Sequence, residues 1–336
     1  MMVSDRALSF IIQGPVLRKR EGSSFSTADC IDSIRARFPA SEIVVSTWDT
    51  SDVSGLACDT VVCSRDPGAT SCVVSGARSY NVNRQIISTS AGLKASTRLY
   101  AAKMRGDLLV TGRGFLDRFQ CDQPRHPQMR IFCSRILAVS YYARDPRIFP
   151  LLFHPSDIFQ FGAREDMLKL WDLPLAPEPE TARWLETRPR PVPDYRPNEL
   201  HRYTPEQYIW ISCLARHGID VQLDYPYQLS AGDLERSELS LANNFLFAEP
   251  RRLGIRLPER LRVIDPFSVY GYSDWLLLQR RCCGNGLTLM DRVHQGLRRT
   301  IRRILSSTYH SARKGVGLLR ARLGEERIPT IMGKSS

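Results

Sequence analysis

The stretch NVNRQIISTSAGLKASTRLYAAKMRGD, residues 81–107, decides the fold class of this chain. A polar opening is followed by a helix and then by a short strand that ends in the alternating charges of Lys103, Arg105 and Asp107. A helix that begins with Asn and Arg offers backbone N–H groups and a cation to a phosphate. A carboxylate at a strand end lies at the mouth of a sheet, where open α/β folds bind ligands. The alternative is an ordinary helix–strand pair with solvated charges.

The same alternation of strands and helices continues along the rest of the chain. Short apolar runs predict strands, and apolar residues at three- and four-residue spacing predict helices. This alternation implies a mainly parallel sheet with helices on both faces. The region 174–197 holds seven prolines, which predicts an irregular excursion or a lid. The predicted strands are 8–16, 42–48, 60–64, 99–104, 130–139 and 158–162, and the predicted helices are 27–38, 84–95, 164–170 and 205–217.

The composition is that of an ordinary globular protein. The 336 residues are 43% hydrophobic and 24% charged, and no apolar run approaches the ~20 residues of a membrane span. We expect no signal peptide at the N-terminus and therefore a cytoplasmic location. The nine cysteines show no CxxC pair and no metal-ligand spacing, which predicts buried, reduced thiols such as Cys63 and Cys213.

The net charge of +12 is concentrated near the C-terminus. Residues 287–324 contain nine basic residues and one acid, Asp291, so they carry eight of the twelve net positive charges. Apolar residues in this segment recur at three- and four-residue steps, which is typical of an amphipathic helix. We therefore predict a globular body, 1–283, and a basic amphipathic helical tail, 284–336.

This tail is expected to anchor the protein peripherally on the inner face of the cytoplasmic membrane. Residues 287–324 would lie on the anionic surface, with the arginine pairs 298/299 and 302/303 on the polar side of the helix. The alternative is a disordered or core-packed basic tail.

The body resembles a known family through an ordered series of motifs that runs from about residue 8 to about residue 283. The series is IIQGPV (11–16), SIRARFP (33–39), EIVVSTWDTSDVSGL (42–56), SRDPGA (64–69), NVNRQIISTSAGL (81–93), YAAKMRGDLLVTG (100–112), FHPSDIFQFGAREDMLKLWDLPLA (153–176), RYTPEQYIW (202–210), LANNFLFAEPRRLGIRLPER (241–260) and YSDWLLLQRRCC (272–283). Together these motifs resemble the WavE-type lipopolysaccharide synthesis family, a group regarded as glycosyltransferases. The resemblance implies transfer of a sugar from a nucleotide-sugar donor to a lipopolysaccharide or other surface-polysaccharide acceptor.

The implied fold is GT-A-like, an architecture in which loops at the strand ends hold the donor. Arg84 is the preferred pyrophosphate partner, because a guanidinium pairs two phosphate oxygens at once. Gly14 would let the backbone approach a ligand, and Trp48 would stack on a base. The alternatives are a plain turn at Gly14, a core tryptophan at Trp48 and a surface salt bridge at Arg84. The expected donor-binding residues are Gln13, Gly14, Pro15, Thr47, Trp48, Asp49, Asn83, Arg84, Lys103, Arg105 and Asp107.

The acidic strand end departs from the usual Asp-x-Asp pattern, since only Asp107 is acidic and position 105 is arginine. A single carboxylate can hold Mg²⁺ or Mn²⁺ when substrate phosphates complete the coordination shell. Equally, Lys103 and Arg105 can neutralise a leaving diphosphate without a metal. Both alternatives stay open, and a metal-independent or weakly metal-dependent site is slightly favoured.

The segment HPSD, 154–157, and the acids that follow it supply the candidate base. An inverting sugar transfer needs one group that takes the proton of the acceptor hydroxyl. Asp157, Asp166 and Glu206 are the candidates, with helix or strand capping as the alternative role of each. His154 is expected to orient groups or bind the acceptor, because no second His or Cys stands near enough to form a metal site.

Two other classes of function compete with sugar transfer. The isoelectric point of about 9.5 prompts nucleic-acid binding, but the basic residues concentrate in one tail and the body lacks a reading module, so we expect no nucleic-acid partner. The second alternative is a non-catalytic GT-A-like scaffold of a polysaccharide assembly complex, which the missing second Asp would permit.

Overall fold

The structure is a computed structural model that describes residues 3–19, 25–75, 78–119, 124–191, 196–261 and 264–322, with side chains described as far as residue 312. Its strands are β1 Leu8–Gln13, β2 Glu42–Trp48, β3 Thr60–Ser64, β4 Thr70–Ser71, β5 Ser79–Tyr80, β6 Tyr100–Arg105, β7 Leu109–Val110, β8 Ile136–Val139, β9 Phe159–Ala163, β10 Phe245–Ala248 and β11 Ile255–Arg256. Its helices are α1 Thr27–Arg37, α2 Val82–Ala95, α3 Gly114–Arg118, α4 Arg164–Trp171, α5 Pro205–Arg216, α6 Ala231–Asn244, α7 Pro250–Leu253, α8 Tyr272–Cys283 and α9 Leu289–Arg322.

Seven strands form one central sheet in the order β10-β8-β9-β6-β1-β2-β3. Four pairs are parallel, namely β1–β2, β1–β6, β2–β3 and β8–β10, whereas β9 is antiparallel to both of its neighbours. The predicted mixed α/β class with a mainly parallel sheet flanked by helices is therefore confirmed.

Alternating residues of β1 show how the two faces of this sheet are covered. Phe10 contacts Phe38 at the end of α1, with 5.2 Å between ring centroids. Its neighbour Ile11 points to the opposite face, where α2 approaches so closely that a Cβ on Gly92 would lie 2.6 Å from Ile11 Cγ2. Since successive side chains of a strand point to opposite faces, the apolar run of β1 is buried on both sides.

Two local expectations were wrong. The strand predicted at 130–139 begins only at Ile136, because the backbone N–H groups of Cys133 and Ser134 donate to the Asp166 carboxylate instead of a neighbouring strand. Cys63 is exposed rather than buried, because β3 is the edge strand of the sheet and its residues alternate between partly buried and exposed positions.

The proline-rich region has no strand in its described part and only a short 3-10 turn, Trp184–Glu186. It is nevertheless tied to the body at both ends. The Asn83 side chain exchanges two hydrogen bonds with the backbone of Ala176, at 3.0 and 2.7 Å, and the backbone N–H of Leu200 donates to the Cys72 carbonyl at 2.9 Å. None of the helices among the described residues is long and apolar enough to cross a membrane.

Candidate functional site

The carboxyl ends of β1, β2, β3, β6, β8 and β10 meet at one edge of the sheet, and β9 begins there. We call this the carboxyl edge. Because the backbone turns away from the sheet at this edge, the side chains of the connecting loops converge there. Most of the predicted site residues lie in these loops or at these strand ends.

The ends of β1 and β2 form the first part of the edge. Gly14 adopts a φ of 101°, which a side-chain-bearing residue rarely tolerates, and its N–H donates to the Ser46 carbonyl at 3.0 Å. The side-chain oxygen of Gln13 accepts from the Ser88 hydroxyl at 2.8 Å. Pro15 and Asp49 are exposed.

Thr47 and Trp48 are far less accessible than their neighbours. Thr47 is fully buried, and its hydroxyl donates to Ser51 at 2.9 Å. The Trp48 side chain is only 5% exposed, which leaves little ring surface on which a base could stack. The structure therefore places the exposed Asp49, and not Trp48, where a ligand can reach it.

Arg84 lies in the first turn of α2 and is already paired. Its guanidinium donates to both carboxylate oxygens of Asp66, at 2.7 and 2.6 Å, and these bonds lower the pKa of Asp66. A phosphate at Arg84 would have to share it with this carboxylate or displace it. Asn83, on the same turn, is engaged by the proline-rich region instead of facing the edge.

Lys103 is the most deeply buried cation of the site. No part of its side chain is exposed; Nζ donates to the carbonyl oxygen of Asp157 and lies 4.5 Å from the centre of the Trp171 ring. Burial lowers the pKa of Lys103 to about 8, although the neighbouring Asp157 opposes that shift. Its position fixes the loop that carries Asp157, but no direct contact with a ligand is available to it.

Asp107 lies in the turn just after β6 and is held by two arginines. Arg105 donates to its two oxygens at 3.0 and 3.1 Å, and Arg260 donates to one of them. Burial opposes ionisation of Asp107, but the two arginines outweigh it and lower the pKa below its ordinary value. The outer faces of Arg105 and Arg260 stay accessible, since their side chains are 32% and 44% exposed.

This arrangement bears on the proposed metal. Both Asp107 oxygens are bound by guanidinium groups, which a cation would have to displace. Within the described ranges, no group of three or more His, Cys, Asp or Glu side chains is arranged to hold a metal ion. The residues present therefore do not fit a metal at Asp107.

Three of the four predicted catalytic residues, His154, Asp157 and Glu206, come together near Lys103. His154 Nε2 lies 3.5 Å from Glu206 Oε2, and Asp157 follows His154 by three residues. His154 Nδ1 lies 2.8 Å from the Tyr142 carbonyl, so Nδ1 carries the hydrogen and Nε2 is left as an acceptor.

The protonation states of this cluster follow from its burial. Burial and the nearby Arg144 lower the pKa of His154 to about 3, so its ring is neutral. Burial and the charge of Asp157 raise the pKa of Glu206 well above that of an exposed glutamate. A protonated Glu206 can therefore donate towards the neutral Nε2 of His154. Their separation of 3.5 Å needs only a small movement to become an ordinary hydrogen bond.

Asp166 is separated from this cluster. It opens α4 after β9 has crossed the sheet, so it lies roughly one strand length, ~16 Å, from the carboxyl edge. It is 1% exposed and accepts from the backbone N–H groups of Cys133 and Ser134. Asp166 therefore holds the segment that precedes β8, whereas Asp157 and Glu206 lie at the carboxyl edge.

Several residues of the edge were not predicted from the sequence. Arg144 bonds the Ser268 hydroxyl, and its Nε is buried with no hydrogen-bond partner among the described residues. Tyr142, whose carbonyl contacts His154, and Phe153, which precedes His154 in the chain, both adopt positive φ, at 72° and 51°. Such strained residues cluster at functional sites, but their sequence context carries no glycine or asparagine that would reveal them.

The chain is therefore a mainly parallel α/β protein whose carboxyl edge gathers arginines beside a buried acid–histidine pair. The sequence model of the WavE lipopolysaccharide synthesis family matches residues 8–309, and the chain belongs to this family. The name of the family suggests involvement in lipopolysaccharide synthesis. No curated protein matches the chain.

Proposed function

We propose that the protein is a GT-A-like glycosyltransferase that moves a sugar from a nucleotide-sugar donor to a lipopolysaccharide or other surface-polysaccharide acceptor. The observation that carries the proposal is the division of the carboxyl edge into two parts. The partly exposed Arg105, at the end of β6, and Arg260 lie together at Asp107, and a buried cluster of two acids and a histidine forms the second part. A transferase needs one part for the leaving diphosphate and the other for the acceptor hydroxyl.

The donor diphosphate is assigned to Arg105 and Arg260. Their exposed faces can each bind phosphate oxygens while Asp107 holds the two guanidinium groups in place. Gly14, with no Cβ, leaves space for the nucleoside at the end of β1. Charge that develops on the leaving diphosphate is then met by the two arginines, and the proposed transfer needs no metal.

The acceptor hydroxyl is assigned to Asp157. The Asp157 carboxyl group takes the hydroxyl proton while the acceptor oxygen bonds to the anomeric carbon and the bond from that carbon to the diphosphate breaks. Glu206, kept protonated by its surroundings, and the neutral His154 orient the acceptor by hydrogen bonds. The acceptor in this proposal is a glycolipid or oligosaccharide at the inner face of the cytoplasmic membrane.

The test is release of UDP, GDP or CMP by the purified full-length protein from a panel of nucleotide sugars, with and without a glycolipid acceptor. Asp157→Asn should lower kcat by at least about a hundredfold while leaving donor affinity unchanged, because a base acts only in the chemical step. Arg260→Gln should instead weaken donor binding. Glu235→Gln, an exposed acid on α6 outside the proposed site, is the matched control and should resemble the wild type.

A non-catalytic scaffold is the second candidate, and one observation favours it. The charges of Arg84 and Asp107 are already neutralised by ion pairs within the chain. The scaffold function would be supported in place of sugar transfer by two results together. No nucleotide would be released from any donor, and calorimetry would detect binding of a glycan or nucleotide sugar at the carboxyl edge.

A further inference from the structure

Helix α9 packs against the body through its polar face. The Arg302 side chain is 13% exposed; it lies 3.1 Å from Asp145 and 3.2 Å from Asp274, and it also donates to two backbone carbonyls. One turn later, the Ser306 hydroxyl donates to the buried Asp265 at 2.5 Å. Arginine and serine thus occupy the side of the helix where an amphipathic helix ordinarily carries leucine and isoleucine.

The apolar side of α9 faces solvent as a consequence. Leu297 and Ser306 are nine residues apart, which at ~100° per residue places them on opposite sides of the helix. We call the exposed set the apolar stripe; its members are between 47% and 78% exposed. They are Met290, Val293, Leu297, Ile301 and Ile304.

The position of the arginines differs from the expectation that they flank the stripe. Arg298 and Arg302 are bound to Asp274 and Asp145 of the body, so they are not available to lipid headgroups. Arg292 and Arg303 are exposed on α9. The charges of Arg292 and Arg303 lie on the exposed surface of the same helix as the stripe, and they complement an anionic partner.

The spacing of the stripe disfavours a coiled coil with a second copy of the chain. A heptad seam that starts at Met290 and Val293 would need apolar residues at 300 and 307 as well as at 297 and 304. Those two positions are Thr300 and Ser307, and both are exposed. A broad apolar stripe beside exposed arginines is instead typical of a helix that lies in a lipid interface.

We propose that the apolar stripe of α9 is the surface by which this protein lies on an anionic lipid bilayer, with the helix held stripe-outward by the bonds of Arg302 and Ser306 to the body. The turn Pro266–Ser268, which receives Arg302, also bonds Arg144 of the carboxyl edge. The membrane-facing side is thereby fixed relative to the candidate site. The proposal does not depend on transferase activity.

Co-sedimentation of the full-length protein with vesicles tests it. One set of vesicles contains phosphatidylcholine alone, and the other also contains phosphatidylglycerol. Leu297→Gln with Ile301→Gln removes the centre of the stripe without changing charge or helix propensity greatly. The matched control, Thr300→Gln with Ser307→Gln, alters two exposed residues of the same helix that lie beside the stripe.

We expect the wild type and the control to bind the anionic vesicles, and the stripe variant to bind them at least about tenfold more weakly. Sedimentation velocity without lipid should show the same oligomeric state for all three proteins. The proposal would be overturned if the stripe variant and the control bound the vesicles equally, or if the wild type failed to bind. It would also be overturned if the wild type and the control were dimers and the stripe variant was a monomer. The last result would assign the stripe to a second copy of the chain.

Discussion

Replacement of Asp107 by Asn should destabilise the protein by about 2–3 kcal/mol at pH 7. The Asp107 carboxylate is 4% exposed and accepts hydrogen bonds from Arg105 and Arg260. Removal of one partner from a fully buried ion pair costs roughly 3–5 kcal/mol. The cost here should be lower, because the two arginines are 32% and 44% exposed and water can solvate the charges left behind.

The measurement is urea denaturation followed by tryptophan fluorescence, with two controls. Arg260→Gln leaves Asp107 paired with Arg105, so it should cost about 1 kcal/mol or less. Asp49→Asn, at an exposed position, should change stability by less than about 0.5 kcal/mol.

The pH dependence of Asp107→Asn gives a second check. The folded-state pKa of Asp107 is lowered, so its contribution is present above the unfolded value of 3.8 and is lost as the pH falls through the folded value. The difference between wild type and variant should therefore stay constant from neutral pH to about 5 and shrink only below about 4. Asp107 would not be the shared counter-ion if Asp107→Asn lowered the free energy of unfolding by less than Arg260→Gln does. The same conclusion would follow if the difference in stability between wild type and Asp107→Asn did not shrink below about pH 4.

Three further changes test other parts of the structure. Burial lowers the pKa of His154 to about 3, so the unfolded chain takes up a proton that the native protein does not, and stability falls as the pH drops from 6.5 to 3. His154→Gln should flatten the pH profile of the free energy of unfolding, measured in urea, by up to ~1.4 kcal/mol per pH unit, and an unchanged slope would contradict the neutral ring. Gly92→Ala should cost about 1–3 kcal/mol in thermal denaturation, because its Cβ would lie 2.6 Å from Ile11; a wild-type midpoint would show that α2 can shift. Asn83→Ala removes two hydrogen bonds to Ala176, so protease should cut the proline-rich region faster at an unchanged global midpoint, whereas equal cleavage would mean that other contacts suffice.

The candidate site was predictable only in part. Residues at the ends of β1 and β6, such as Gln13 and Arg105, could be found because a polar residue after a buried strand must lie at the edge of a parallel sheet. The separation of Asp157 from Asp166 could not, because it depends on β9 running antiparallel and carrying Asp166 away from the edge. Arg144 was missed because it follows β8 in a region without a clear periodic pattern.

The sequence by itself determined the α/β class, the central strands and α2, because apolar runs and helical spacing act between residues close in the chain. Only the tertiary structure decided which charges pair. Asp107 meets Arg260 across 153 residues, and Glu206 of α5 meets His154 of the loop before β9. The direction of the apolar face of α9 was likewise decided by tertiary contacts, because its periodicity is the same whichever side is outward. The buried carboxylates Asp145 and Asp265 bind its polar side and turn the stripe to solvent.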